Sequence, residues 1–371
     1  MKLICNRSKM AEAFNKAATF AARNDVKPIL QMVKIEASDK VTLLASDLEI
    51  GCRIGVDGVE VVKPGCAMLP IDRIGGLLKE STDDTIQIEL TKTKLTAKTS
   101  RGEFAMPIND PEEFPGVAEF DHTAPHFEVS PDSFRSGLKL VALATESEES
   151  RYALGSVMID HDESSMYLIA TDGRRMARFE FPCSNIGEHV PQSQVLIRDA
   201  QLVRLSRAMS GDGNLKIHAR ANDCLFWIGN CEFYARMTEG RYPRWRDLPW
   251  KATDDIFTTL CGPLTATLRQ AGLMLGRDRD AQRGIDLTFT EGLLKIKADA
   301  PERGVSEVEM PVAYSGKPTV ATLDCDYLGE WLSAVGPETT IEVDPSNGKE
   351  RILLRAFDGA AQYVLMPLDR S

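Results

Sequence analysis

The chain has 371 residues, more than a single hydrophobic core usually serves, so we expect two or three domains. Its composition, with 43% apolar and 27% charged residues, excludes disordered and collagen-like proteins, and no apolar run is long enough to span a membrane. The net charge of −11 argues against binding nucleic acid through bulk positive charge, but it leaves room for a locally basic surface.

The first predicted element is a helix whose apolar residues recur at intervals of three and four. A helix of the same kind is predicted near the start of each third of the chain. Its apolar face is formed by Met10, Phe14, Ala17 and Ala21 in the first third, by Phe134, Leu138 and Val141 in the second, and by Leu264, Leu268, Ala271 and Leu275 in the last.

Aspartates repeat at a spacing close to one third of the chain. Asp47, Asp172 and Asp299 each follow an apolar run, 125 and then 127 residues apart, and we expect each to lie in a turn. A second set is 127 residues apart throughout and precedes short apolar-periodic stretches, so we expect these residues to be helix N-caps. They are Asp72, Asp199 and Asp326.

The remaining segments alternate with period two, as at 85–99 and 350–367, and predict short strands joined by tight turns. Two helices and about eight strands would then make up each third. We predict an α+β protein built from three tandem copies, with boundaries at 1–123, 124–249 and 250–371 where Pro and polar residues interrupt the pattern.

Basic residues recur along the predicted helices, except the last short helix, which contains Glu330. One interpretation is a diffuse lining that meets DNA phosphates without reading bases; the other is ordinary solvated helix faces. The residues are Lys9, Lys16, Arg23, Arg73, Lys79, Arg135, Lys139, Arg204, Arg207, Arg269, Arg277 and Arg279.

No catalytic set is visible in the sequence. The five histidines form no relay or metal spacing, there is no nucleotide-binding loop, and the eight cysteines lack zinc or disulfide spacing. We therefore expect no catalytic residue, metal or cofactor, and reduced thiols in a cytoplasmic protein. Asp172 to Arg175 has the composition of a phosphate cradle, but Asp-Gly favours a hairpin turn.

Several motifs together resemble one family. The segment ATDGRRMA at 170–177 is similar to a motif of the bacterial sliding clamp, the beta subunit of DNA polymerase III. The segments RYALGSVM at 151–158, EGRYPRW at 239–245, YVLMPL at 363–368 and KPILQMVKIEA at 27–37 resemble the same family in the same order.

The resemblance implies a DNA-clamp fold in which each unit packs two helices against two antiparallel sheets. Two chains would join head to tail into a homodimeric ring around double-stranded DNA, with the helices facing the DNA and Tyr152 among the DNA-facing residues. The expected partners are the alpha-type subunit of the replicative DNA polymerase, the clamp loader complex, and other proteins with a clamp-binding motif. The function implied is that of a processivity factor.

The resemblance also implies a pocket for partner peptides. Arg174, Asp247 and Asp369 depart from the family pattern at its rim, which predicts altered partner selection. For Val364 and Met366 the alternative is core packing of the last strand. The pocket residues implied are Leu154, Thr171, Gly173, Arg174, Arg175, Met176, Pro243, Leu248, Val364, Met366, Pro367 and Leu368.

A dimer contact follows less directly from the resemblance. Phe104 and Met106 would face Met274 and Leu275 of the partner chain, and the alternative is that all four belong to the cores of their own domains. Arg73 would add a charge contact. Two other functions are compatible with the residues alone, namely a peptide-gathering scaffold without DNA and a phosphoester hydrolase using Asp172 with Arg174 and Arg175.

Overall fold

The structure is a computed structural model, and it describes residues 1–23, 27–146, 153–248, 250–276, 284–300, 303–348 and 350–368. The chain forms two compact units. Unit 1 contains Met1–Pro131 and Cys183–Met237, and unit 2 contains Asp132–Pro182 and Thr238–Ser371. The division falls inside the central third, so the three sequence boundaries remain predictions. Tyr152, Arg277, Arg279 and Asp369 lie outside the described residues.

A helix opens each third of the chain, as predicted, and a second helix follows later in each; the second is shorter in the first two thirds and of equal length, 11 residues, in the last. The first helix (Arg7–Ala18) ends before Ala21 and Arg23, and the fifth (Cys261–Ala271) ends before Leu275, so these residues do not extend the helical faces as expected. The described helices are α1 (Arg7–Ala18), α2 (Ile71–Glu80), α3 (Pro131–Val141), α4 (Asp199–Ala208), α5 (Cys261–Ala271) and α6 (Cys325–Val335). Short 3-10 helices lie at Pro28–Gln31, Pro111–Glu113, Ala142–Ala144, Trp245–Asp247 and Gly272–Met274.

Strands account for most of the remaining described chain. The strands before α3 are β1 (Lys2–Asn6), β2 (Met32–Ala37), β3 (Val41–Ser46), β4 (Ile50–Gly55), β5 (Val59–Lys63), β6 (Gly65–Pro70), β7 (Thr85–Leu90), β8 (Leu95–Lys98), β9 (Glu103–Met106) and β10 (His126–Val129). The central strands are β11 (Ser156–His161), β12 (Ser165–Thr171), β13 (Arg175–Ile186), β14 (Val195–Arg198), β15 (Leu215–Ala219), β16 (Asp223–Ile228) and β17 (Cys231–Arg236). The last strands are β18 (Phe257–Leu260), β19 (Gly284–Thr290), β20 (Leu293–Ala300), β21 (Gly304–Pro311), β22 (Thr319–Asp324), β23 (Thr340–Asn347), β24 (Arg351–Ala356) and β25 (Ala361–Leu365).

Each unit contains antiparallel sheets. In unit 1 one sheet has the order β5-β1-β7-β8-β9, and a second runs β10-β15-β16-β17-β4-β3-β2-β6. In unit 2 one sheet has the order β21-β20-β19-β22, and a second includes β18-β23-β24-β25 followed by β13, β12 and β11. The predicted α+β class and the predicted hairpins at 85–99 and 350–367 are confirmed.

The helices pack on these sheets through their periodic apolar residues. Met10 and Phe14 of α1 are fully buried in unit 1, and Phe134 of α3 and Leu268 of α5 are buried in unit 2. Burial of a side chain of this size stabilises the fold by roughly 1.5–3 kcal/mol. The period of the sequence therefore identified the faces that form the core.

The predicted N-caps are wrong by one or two residues. Asp72 and Asp326 are the second residues of α2 and α6, and Asp199 is the first residue of α4. The reason is that the preceding strand runs directly into each helix, so its last residue takes the N-cap position. The N-cap of α6 is Asp324, whose carboxylate accepts the N–H groups of Asp326 and Tyr327. The three predicted aspartates remain in the first turn, where the helix dipole favours negative charge.

Two of the three predicted turn aspartates are confirmed. Asp47 and Asp172 both follow a strand, and their Oδ1 atoms accept the N–H groups two and three residues further on, at 2.9–3.1 Å. Asp299 lies inside β20 instead, opposite Val305 of β21, because that hairpin is longer. The first two of these aspartates thus share side-chain geometry as well as spacing, and the third does not.

All eight cysteines are free thiols. Within the described ranges, no helix is both long enough and apolar enough to cross a membrane.

Candidate functional site

The Asp-Gly segment forms the turn between β12 and β13, which confirms the hairpin interpretation. Gly173 has a φ of +86°, a left-handed conformation that glycine adopts without strain. The Thr171 hydroxyl closes the turn, since it donates to the carbonyl oxygen of Arg175 at 2.7 Å and accepts the N–H of Gly173 at 3.0 Å. The turn is therefore fixed by its own side chains.

The last strand lies directly beside this turn. Strand β25 pairs with β13 so that Met176 is opposite Val364. Just beyond the strand, the N–H of Met366 donates to the carbonyl oxygen of Arg174 at 2.9 Å. Residues almost two hundred positions apart in sequence are thereby brought to one place in unit 2.

A cavity of about 260 Å³ opens at this place. Eight of the twelve residues predicted for the pocket line it, and Arg244 lines it as well. Sequence reasoning missed Arg244, although it directly follows Pro243 in the EGRYPRW motif. The lining residues are Thr171, Gly173, Arg175, Met176, Pro243, Arg244, Leu248, Val364 and Met366.

The wall that carries Pro243 is held by two aromatic side chains. The Tyr242 hydroxyl donates to the carbonyl oxygen of Ile169 at 3.1 Å, and burial raises the pKa of this phenol. The indole Nε1 of Trp245 donates to Asp160 Oδ2 at 2.9 Å. These bonds attach the 239–245 motif to strands β11 and β12 of the same unit.

Arg175 is the one strongly buried charge in this lining, with 8% of the residue exposed. Its Nε donates to Asp172 Oδ2 at 2.9 Å, its Nη1 donates to Glu330 Oε2 at 2.6 Å, and its guanidinium lies 3.9 Å from the centre of the Tyr327 ring. Burial works against the charged form, but Tyr363, Glu330 and Asp172 outweigh it and raise the pKa of Arg175. The guanidinium is therefore held in place by these partners and is not available for a bidentate contact with a phosphate.

The cavity has a mainly apolar floor and an exposed edge. Met176 and Val364 are buried, whereas Met366 is 47% exposed at the mouth. Methionine side chains adapt to irregular apolar partners. The volume is below that of pockets for drug-sized ligands, so it suits one or two apolar side chains of a peptide.

Four predicted pocket residues do not line this cavity. Leu154 is buried just before strand β11, and Arg174 is exposed on the turn between β12 and β13. Beyond Met366, the N–H of Leu368 donates to the carbonyl oxygen of Thr322 at 2.8 Å, and neither Pro367 nor Leu368 lines the cavity. Asp247 ends the 3-10 helix beside Leu248.

The predicted DNA-facing residues fall into two groups. Four of them already have an acidic neighbour: Lys16 with Glu12, Arg73 with Asp72, Arg135 with Asp132, and Arg204 with Asp47. A second group projects from the helices as exposed side chains, namely Lys9, Lys79, Lys139, Arg207 and Arg269, and Arg23 is exposed beyond the end of α1.

The predicted dimer residues differ in burial. Phe104 of β9 is 48% exposed, while Met106 and Leu275 are buried within their own units and Met274 is half-buried. Leu273, next to Met274, is a large exposed apolar residue that the sequence did not single out.

Among the described residues no cluster of His, Cys, Asp or Glu is arranged to hold a metal ion.

Fold and cavity together define an α+β protein of helices packed on antiparallel sheets, with a small apolar cavity in unit 2. Family models describing the N-terminal and central domains of the DNA polymerase III beta subunit match residues 1–118 and 128–244. The Beta sliding clamp of Escherichia coli K12 is 21% identical over 371 residues, covering 99% of this chain and all of that protein. The Beta sliding clamp of Pseudomonas aeruginosa PAO1 is 22% identical over 374 residues, covering 99% of this chain and all of that protein.

Solved structures share the fold over the full chain. The beta subunit from Streptococcus pyogenes superimposes with a TM-score of 0.89 at 19% identity, covering 99% of this chain and all of that one. A Pseudomonas aeruginosa sliding clamp bound to griselimycin gives 0.87 at 23% identity, covering 100% of this chain and 99% of that one. The chain belongs to the family of the DNA polymerase III beta subunit, and sliding-clamp function follows from that membership.

Proposed function

We propose that this chain tethers a replicative DNA polymerase to double-stranded DNA as a head-to-tail homodimeric ring. The helices would face the DNA, and the three copies would be bounded at 1–123, 124–249 and 250–371. Family membership and the clamp fold support the ring. Retention on DNA is then topological, because release requires the ring to open or the DNA to end.

The cavity of unit 2 is the proposed attachment point for partners. The observation that carries this proposal is the convergence of Thr171, Met176, Leu248, Val364 and Met366 on one small cavity. An apolar-tipped peptide of the polymerase alpha-type subunit, of the clamp loader complex, or of another protein with a clamp-binding motif would insert there. The arginine donors of the lining, Arg175 and Arg244, would position the peptide's polar atoms.

The chain acts as an accessory subunit without catalysis of its own in this proposal. The sequence has no nucleotide-binding loop, so ring opening would depend on a separate loader ATPase. The geometry of Asp172 and Arg175, which pair with each other in a hairpin turn, suits a structural role better than hydrolysis.

The decisive experiment compares retention of the loaded protein on nicked circular DNA and on the same DNA after linearisation. Encirclement predicts long retention on the circle and rapid loss from the linear form. Equal release from both forms would contradict the ring. A second test changes Arg135, Lys139, Arg204 and Arg207 together to Glu. A protein that holds DNA should then lose retention on the circle. A DNA-independent scaffold should keep its whole function, which is partner binding.

A further inference from the structure

A second cavity of unit 2 lies among its helices. It has a volume of about 630 Å³ and is lined by residues of α3, α5 and α6. Two cations, Lys139 and Arg269, and two carboxylates, Asp326 and Glu330, line it. We call this cavity the helix groove. Lys139 and Arg269 are among the residues proposed to face DNA, so a phosphate backbone would approach here.

Glu330 belongs to the helix groove and also reaches the peptide cavity. Its side chain is 52% exposed, and its Oε2 accepts the Nη1 of Arg175 at 2.6 Å. Arg175 lines the peptide cavity. One ion pair therefore spans the layer between the two cavities, with its carboxylate on the helix side and its guanidinium on the sheet side.

The two ends of this pair lie in different environments. Arg175 is buried, with 8% of its side chain exposed, so solvent screens its charge less than that of Glu330. Loss of Glu330 would leave Asp172 as the remaining anionic partner of Arg175, so the guanidinium would stay charged but would be held at one side only. The exposed half of Glu330, in contrast, experiences any charge that enters the helix groove. A charge that enters the helix groove therefore changes the electrostatic energy of Glu330, the carboxylate that holds Arg175.

We propose that Glu330 is a positioning residue that couples the helix groove to the peptide pocket. A polyanion bound along Lys139 and Arg269 alters the hold of Glu330 on Arg175, and this changes the affinity of the pocket for a peptide. Coupling of this kind is reciprocal, so a bound peptide changes affinity for the polyanion by the same factor. The inference rests on the proposed pocket and DNA-facing helices.

The test measures the Kd of a short peptide with an apolar Leu-Phe tip for the full chain, with and without a short linear DNA duplex at low ionic strength. For the wild type we expect the duplex to change this Kd by at least about fivefold. In Glu330→Gln the two Kd values become equal. Asp326→Asn is the matched control: it removes the same charge from the same groove, outside the hydrogen-bond partners of Arg175, and keeps the wild-type ratio.

A wild-type ratio of one, or the same ratio in Glu330→Gln as in the wild type, overturns the inference while leaving the pocket intact. Absence of peptide binding by the wild type overturns the proposed pocket first and the coupling with it. Should Glu330→Gln fail to fold, Glu330→Asp serves instead. It keeps the charge but withdraws the carboxylate from Arg175, and we expect a ratio between the wild-type value and one.

Discussion

The N–H of Met366 donates to the carbonyl oxygen of Arg174 at 2.9 Å, which ties the end of the last strand to the Asp-Gly turn. Two walls of the cavity are therefore joined by a backbone hydrogen bond that needs no side chain. The frame of the cavity is formed by the fold, and only the side chains at its mouth need to adapt to a partner.

Truncation of Met366 tests the pocket most directly. Met366→Ala removes the adaptable apolar group at the mouth, and we expect binding of a Leu-Phe-tipped peptide to weaken about tenfold, or ~1.4 kcal/mol. The measurement is a calorimetric titration. Leu260→Ala is the control, because Leu260 is an apolar residue of unit 2 with nearly the same exposure, 46%, and does not line the cavity. Equal affinities for the two variants would remove Met366 from the site.

Gly173 should be required for its backbone conformation and not for space. A Cβ at this position would meet nothing within 4 Å, but φ is +86°. Gly173→Ala should therefore lower the free energy of unfolding by roughly 1–2 kcal/mol, as measured by urea denaturation. Gly76→Ala in α2 also has open space around the new Cβ, but there the helical backbone favours alanine. We expect a gain of about 0.4–1 kcal/mol; a loss at Gly76 would contradict this reasoning.

The exposed helix cations should dominate the salt dependence of DNA binding. Each phosphate contact contributes a slope of roughly 0.9 in log K against log salt. Changing Lys79, Lys139, Arg207 and Arg269 together to Gln should make the slope shallower by up to about 3.6.

A matched set separates this effect from net charge. Lys40, Lys63, Lys92 and Lys317 are exposed on strands and loops. Changing these four to Gln alters the charge equally, and we expect the salt slope to stay at the wild-type value. Similar slopes for the two sets would mean that the helices have no special part in binding.

Phe104 and Met106 should behave differently although they lie on one strand. Phe104→Arg places a charge on an exposed apolar position, and we expect sedimentation to show dissociation toward monomers with little change in the stability of the monomer. Met106 is only 6% exposed, so Met106→Ala should cost about 2–5 kcal/mol of unfolding free energy. A Phe104→Arg protein that stays dimeric would exclude this strand from the interface.

Asp324 should make stability depend on pH in the acidic range. Burial raises the pKa of this carboxyl above its usual value, although two N–H groups of α6 oppose the shift. The folded state therefore holds the proton more tightly than the unfolded chain. Its contribution to stability is fully present below the unfolded pKa and is lost as pH rises through the folded pKa.

Asp324→Asn keeps an N-cap acceptor but does not titrate, so we expect this part of the pH dependence to disappear in urea unfolding experiments. Asp324→Ala removes the cap and should cost about 1 kcal/mol. Unchanged pH dependence in Asp324→Asn would show that the carboxyl titrates alike in both states.

The sequence predicted those local elements of the site that depend on local patterns. Alternation located β25, and Asp-Gly located the turn at Gly173. The assignment of Val364 and Met366 to a pocket came from the resemblance to the family and not from these patterns. The pairing of Arg175 with Glu330 was not predictable, because the two residues are 155 positions apart and belong to elements of different period. Distant side-chain partners leave no signal in the spacing of either element.

Errors at the ends of elements have a similar cause. The aspartates at 72, 199 and 326 were placed one or two residues too early relative to their helices, because nothing local distinguishes a capping residue from an acidic first turn. The direction of Leu368 also escaped prediction, since it depends on a hydrogen bond to Thr322 of a separate strand.

The helix Cys325–Val335 carries Asp326 and Glu330 and no basic residue, whereas α3 and α5 of the same unit carry Lys139 and Arg269. A duplex running alongside these helices would be drawn to one flank and pushed from the other. In the proposed homodimeric ring the second copy would repeat this preference from the opposite side, so the contacts around the DNA would alternate between attraction and repulsion instead of forming an even cylinder.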